Sequence, residues 1–192
     1  MCHNLLKDAR LFCLLLKIDL EIAARIRAGG CPWCGGVLHS ARYPRKPRGV
    51  LIELGPEYER RESFCCSDPS CRLRTTPPSV RFLGRSVYLG VVKLVVCAMA
   101  VDASAEDVER LRELTGADVR TLKRWRWWWQ QVFAVSPFWK SVSGRFDRPV
   151  DGGRLPLSLL ERFDGSICEQ VVAMLRFLAP ITTAPMNGDL VM

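Results

Sequence analysis

Residues 31–78 carry prolines at 32, 44, 47, 56, 69, 77 and 78 and only short β-prone runs such as Val50-Leu51-Ile52. A segment of this texture has little apolar material for a core and needs a staple. Its cysteines supply one. The string CPWCGG holds Cys31 and Cys34 two residues apart, so two thiolates from one turn can face a single ion while the glycines permit the tight backbone. FCCSDPSC then offers Cys65, Cys66 and Cys71, one more than a tetrahedral site needs. Cys66 and Cys71 are the expected second pair. In an entering strand Phe64 and Cys66 share a face, so the ring covers the site while Cys65 points away. His39 is the reserve ligand. Four protein ligands close the coordination sphere, so the expected cofactor is a structural Zn2+ rather than a water activator. The competing reading is a set of buried thiols acting as small hydrophobes.

The full complement of nine cysteines is odd, and five of them fall in the two clusters, which favours a reducing compartment over a disulfide framework. Cys13, Cys97 and Cys168 lie in apolar runs and are expected in the core; Cys2 and His3 have no evident partners. The start MCHNLLKDAR lacks the layout of a secretory signal. Lys17, Asp19 and Glu21 interrupt the first apolar run and Lys93 the second, so no membrane span is expected. The expected location is cytoplasmic.

A net charge of +8 and a pI near 9.2 suit a polyanionic partner, and most of the cationic residues are arginine, the side chain best shaped for phosphate and guanine. Around the cysteine module lie Arg42, Arg45, Lys46 and Arg48, then Arg72, Arg74, Arg81 and Arg85 with no acid between 72 and 85. These form a candidate phosphate-contacting rim.

Helical texture flanks the module. Apolar spacing predicts a helix over Leu5 to Ile26, stopped by Gly29-Gly30. Further helices are predicted over Val87 to Ala100, from Ser104, and after Asp118, with a connector from Ser136 to Arg154. Shorter helical segments follow, near Pro156 to Phe163 and Ser166 to Ala179, before a poorly ordered tail. The expected fold is mainly α with a small β zinc ribbon. Its units are an N-terminal helical segment (1–28), the ribbon (29–78), a tri-helical helix-turn-helix domain (85–135), and a connector with C-terminal helices (136–192).

The helix-turn-helix expectation rests on SAEDVERLRELTGADVRTLKRWRWWWQ. Ser104 caps a helix with Glu106 and Asp107 in its first turn, Gly116 interrupts it, and Asp118 caps the next. At about 100° per residue, Val119, Leu122, Trp125, Trp129, Val132 and Phe133 gather on one side of that second helix. Arg120, Lys123, Arg124, Trp127 and Gln131 lie opposite, a mixture that suits a duplex groove. Trp128 falls on the flank and Arg126 within the apolar arc.

CPWCGG, FCCSDPSC and TGADVRTLKRW together resemble the zinc-ribbon and helix-turn-helix DNA-binding modules of bacterial insertion-sequence transposases and related mobile-element proteins, over roughly residues 29 to 135. The resemblance implies Cys31, Cys34, Cys66 and Cys71 as ligands. It implies Arg120, Thr121, Lys123 and Arg124 as DNA contacts, to which the residue reading adds Trp127, Arg45, Lys46, Arg48, Arg72 and Arg74. The chain after Val135 is too short for the nuclease domain of such enzymes. Asp147, Asp151, Glu161 and Asp164 make no paired site, so no enzyme is expected. The expected partners are double-stranded DNA, a transposase and a second copy of the chain, with a nucleoid location when bound. The alternatives are a protein-interaction adaptor using Trp127, Trp128 and the stripe Ile167, Val171, Met174, Leu175 and Leu178, or an RNA or single-strand binder.

Overall fold

The computed structural model describes residues 2–83 and 88–183; Arg85, Val87 and the C-terminal tail lie outside the described residues. A 3-10 turn, Cys2–Lys7, leads into helix α1, Ala9–Ala28. The break between them comes from Asp8, whose carboxylate takes the Arg10 N–H at 2.9 Å and caps α1, so the predicted helix begins later than its apolar run. Leu11, Phe12, Leu15 and Ile18 face inward. Cys13 does not: it is exposed, against expectation. Cys97 is buried and Cys168 half-buried.

The turn-rich region folds as short strands. β1 (Leu38–Ser40), β4 (Phe64–Cys66) and β5 (Arg74–Thr75) form an antiparallel sheet with β4 central, while β2 (Tyr43–Pro44) pairs with β3 (Arg60–Arg61). Beneath the larger sheet is a small apolar cluster of Ala23, Cys31, Leu38, Phe64 and Cys66, with Ile26 and Cys71 against it. Ala23 and Ile26 belong to α1, so this helix forms the floor of the cysteine module.

Helix α2 (Gly90–Met99) is buried from Gly90 to Ala98, which explains its apolar residues on every side. α3 (Ala105–Thr115) opens with a reciprocal capping box between Ser104 and Asp107 and closes on Gly116, whose φ of +64° is left-handed. α4 (Val119–Trp127) follows, capped by Asp118, which takes the Thr121 N–H at 2.7 Å. Trp128–Phe133 then widens into a π-helical segment. That widening corrects the helical-wheel reading, because a π turn bonds i to i+5 and shifts the phase. Trp128 is buried rather than flanking and Val132 is half-buried; upstream of the widening, Val119 in the first turn of α4 is 41 % exposed instead of core.

The predicted connector holds a helix of its own, α5 (Pro137–Val142), with Ser136 as cap and Pro137 in its first turn. α6 (Leu157–Leu160) is shorter than its predicted span, and α7 (Ile167–Leu178) has a capping box between Ser166 and Glu169. One large core draws on α1, α2, α4, the π segment, α6 and α7 together. Val171, Met174, Leu175 and Leu178 are buried in it, so they complete this chain's own core and are not free to dock a partner.

A buried ion pair fixes the cysteine module to this body. Arg81 Nε meets Asp19 Oδ2 at 2.8 Å with both side chains 2 % exposed. The same carboxylate accepts Ser79 Oγ at 2.6 Å and the Val80 N–H at 2.7 Å, while Arg81 donates to the carbonyls of Tyr58 and Arg60. Arg81 therefore leaves the predicted phosphate rim. No described helix is long and apolar enough to cross a membrane.

Candidate metal centre and basic helix

The sulfurs of Cys31, Cys34, Cys66 and Cys71 all lie within 4.8 Å of one another, and this set could hold a metal ion. Two turns bring them together. In the first, the Cys31 N–H donates to Gly36 O and the Gly35 N–H to Cys31 O, both at 2.8 Å. A Cβ on Gly36 would sit 3.1 Å from Cys66 Sγ and 3.3 Å from Cys34 Sγ, so any larger residue there would press on the sulfurs. In the second turn the N–H groups of Cys71 and Arg72 both donate to Asp68 O, at 3.1 and 3.0 Å. The Asp68 carboxylate holds the turn by accepting Ser70 Oγ at 2.7 Å and the Ser70 N–H at 2.8 Å, and these bonds keep its pKa below the ordinary range.

Across the cluster, Cys31 and Cys71 sulfurs are 3.7 Å apart and those of Cys34 and Cys66 3.4 Å. Burial pushes the Cys66 thiol up to about 12, and the Cys34, Cys31 and Cys71 thiols add to the rise. Cys31 goes the other way: burial opposes ionisation, but the backbone N–H groups of Trp33 and Cys34 outweigh it and bring the thiol to about 7. Four crowded thiols resist joint ionisation, and a cation among them removes that resistance. Phe64 packs in the cluster as its strand position suggested. His39 and Cys65 pair across β1 and β4, and Cys65 pairs with Arg74 on β5. Residues directly opposite share a face, so this row lies on the side of the sheet away from Cys66. Neither reserve candidate joins the set.

Asp118 starts α4, its carboxyl held below the ordinary range chiefly by the Thr121 N–H. Beyond it α4 has no acid. Arg120, Lys123, Arg124 and Arg126 are exposed, and Trp127 is 57 % exposed, while Leu122 and Trp125 face the core. Arg126 is thus outward despite its position in the apolar arc. Thr121 is not: at 8 % exposure it faces inward, which removes it from the open row. Lys46, Arg48, Arg72 and Arg74 are exposed. Arg45 is half-buried with its guanidinium 5.3 Å from the Phe82 ring centre, a packing role that competes with phosphate contact. Asp147, Asp151, Glu161 and Asp164 lie on the surface.

Two features gave no signal in the sequence. Lys93 read only as a break in an apolar run, yet it is buried with its ammonium 5.6 Å from the Trp128 ring centre. Asp19 read likewise, and its partner Arg81 lies 62 residues away. Comparison with protein-family models, curated proteins and solved structures gives no match.

Proposed function

We propose that this chain is a zinc-stabilised DNA-binding protein without a catalytic domain, acting as a mobile-element accessory or a transcription regulator. The observation that carries the reading is the outward row of α4: Arg120, Lys123, Arg124, Arg126 and Trp127 open to solvent on a helix whose other face is locked into the core. A helix held in this way can enter a major groove without rearranging, and arginine can read guanine edges there. Gly116 and Asp118 set the turn that precedes it, and this supports reading α3 and α4 as a helix-turn-helix. Arg72, Arg74, Lys46 and Arg48 on the cysteine module supply phosphate contacts in this reading.

Zinc is the ion that suits the donor set. A tetrahedron with Zn–S bonds of about 2.3 Å has edges of about 3.8 Å; the Cys31–Cys71 and Cys34–Cys66 sulfurs stand at 3.7 and 3.4 Å, and all four lie within 4.8 Å of one another. With all four positions taken by protein, the ion holds the ribbon and does no chemistry on a substrate. The partner is double-stranded DNA; a transposase or a second copy of the chain is a further partner if the protein works at element ends.

Selection from a random duplex pool, followed by titration at graded salt, tests the reading. If about six phosphates are neutralised, log K should fall against log salt with a slope of roughly −5. Absence of duplex affinity at both low and moderate salt rejects it, and tighter binding to single strands transfers it to the single-strand class.

A further inference from the structure

Lys93 is the only charged residue of α2 and is buried among Val91, Val92, Leu94 and Val95. Only 9 % of it is exposed. Among the described residues it has no carboxylate partner and no hydrogen-bond acceptor. Its ammonium lies 5.6 Å from the Trp128 ring centre, at the far end of the range of about 6 Å for a cation over a ring. The Trp128 indole N–H is itself buried and has no acceptor. The Cys97 thiol and the Arg124 guanidinium are the charges that act on Lys93; burial first, and then Arg124, draw its pKa down to about 8 despite Cys97. The indole N–H is thus enclosed and unanswered, while the tip of the Lys93 ammonium stays open to solvent and makes no hydrogen bond to the described residues.

Buried donors without partners are rare because each loses its hydration and regains nothing. A ligand rich in acceptor oxygen and negative charge suits three features together: the solvent-facing tip of the Lys93 ammonium, the orphaned Trp128 indole N–H and the positive charge of Arg124. We propose that Lys93, Trp128 and Arg124 form a phosphate-binding site between α2 and α4, and that it takes a backbone phosphate of the nucleic acid lying against α4. The identity of the phosphate as a backbone group rests on the proposed function; the site does not. Arg124 stands in the exposed row with Arg120, Lys123 and Arg126, on a helix that has no acid beyond the Asp118 cap. Lys93 then anchors from beneath what Arg124 contacts from outside.

Inorganic phosphate is the first probe. Millimolar phosphate at constant ionic strength, with chloride as the control, should raise the Tm of the wild-type protein and shift the Trp128 indole N–H resonance while leaving that of Trp127 in place. Lys93→Met keeps the stem and removes the charge; it should fold with a Tm at or above wild type, lose the phosphate response, and bind duplex several-fold more weakly with a salt slope shallower by about one. A phosphate response that survives Lys93→Met belongs to general surface charge and overturns the site. So does an unmoved Trp128 resonance in the wild type, a result that does not depend on any variant folding. Duplex binding unchanged by Lys93→Met overturns the assignment of the phosphate to the nucleic-acid backbone and leaves the proposed function standing; a phosphate response through Lys93 with no duplex affinity keeps the site and removes the proposed function. Carboxylate peptides that reproduce the shift more strongly than phosphate assign the site to a protein partner and overturn the phosphate assignment.

Discussion

Asp19 lies midway along α1 between Ile18 and Leu20, where a charge reads as an interruption of the apolar face. In the folded chain it is the acceptor around which Ser79, Val80 and Arg81 are arranged. Removing one member of such a pair leaves the other charge buried without compensation. Asp19→Ala should therefore cost about 3–5 kcal/mol in urea denaturation, whereas the exposed Arg110–Glu106 pair should change little when broken. The cysteine quartet was legible because its chemistry is encoded in spacing a few residues long. The Asp19–Arg81 pair was not, because nothing local marks two residues 62 apart as partners. Cys65 and Cys66 give a further check at this scale. Cys66→Ser should abolish stoichiometric metal in the purified protein, and Cys65→Ser should retain it, since only Cys66 belongs to the sulfur set.

Helix ends were the most readable elements. Ser104, Asp118 and Ser166 cap where their side chains can accept the first free N–H groups, and that geometry is decided within four residues. The carboxyls of Asp107 and Glu169 are drawn below their ordinary pKa chiefly by the Ser104 and Ser166 hydroxyls. A carboxyl that is more acidic in the folded state stabilises above its unfolded pKa, so this contribution is present at neutral pH and fades as pH falls below about 4. Asp107→Asn should flatten that part of the acid unfolding curve, measured by circular dichroism. Gly116 gives a sharper test. A Cβ there would meet nothing within 4 Å, so the cost of alanine is the left-handed backbone alone. Gly116→Ala should lose about 1 kcal/mol and Gly116→Asn less. The π segment was hidden because WRWWWQQVF continues a helical composition without any break. A wheel of constant pitch through it misplaced Trp128; Val119, the first residue of α4, lies upstream of the π segment and is exposed at the helix start. α5 was passed over for the opposite reason: its six residues sit between glycine and proline signals that speak for a loop, although Ser136-Pro137 is a sound helix start.

At the scale of the molecule, the sequence divided the chain by texture into four segments, and the core cuts across that division. Helices from both ends and the middle of the chain enter one apolar cluster, while the cysteine module keeps a second, much smaller one. Removing the metal should therefore act unevenly. With a chelator present, hydrogen exchange is expected to accelerate in β1, β4 and β5 while α2 and α7 keep their protection; simultaneous loss everywhere would show that the ion supports the whole fold. α1 joins the two clusters, seating Leu11, Phe12, Leu15 and Ile18 in the larger and Ala23 in the smaller. Its twenty residues make a rod of about 30 Å. Such a rod works as a ruler: the span between Arg72 or Arg74 and the open row of α4 is preset, as is their mutual rotation. Under the proposed function, a duplex contacted at both places would have to present them at one separation and one angular phase, so inserting half a helical turn between the contacted stretches, about five base pairs, should detach one of the two contacts.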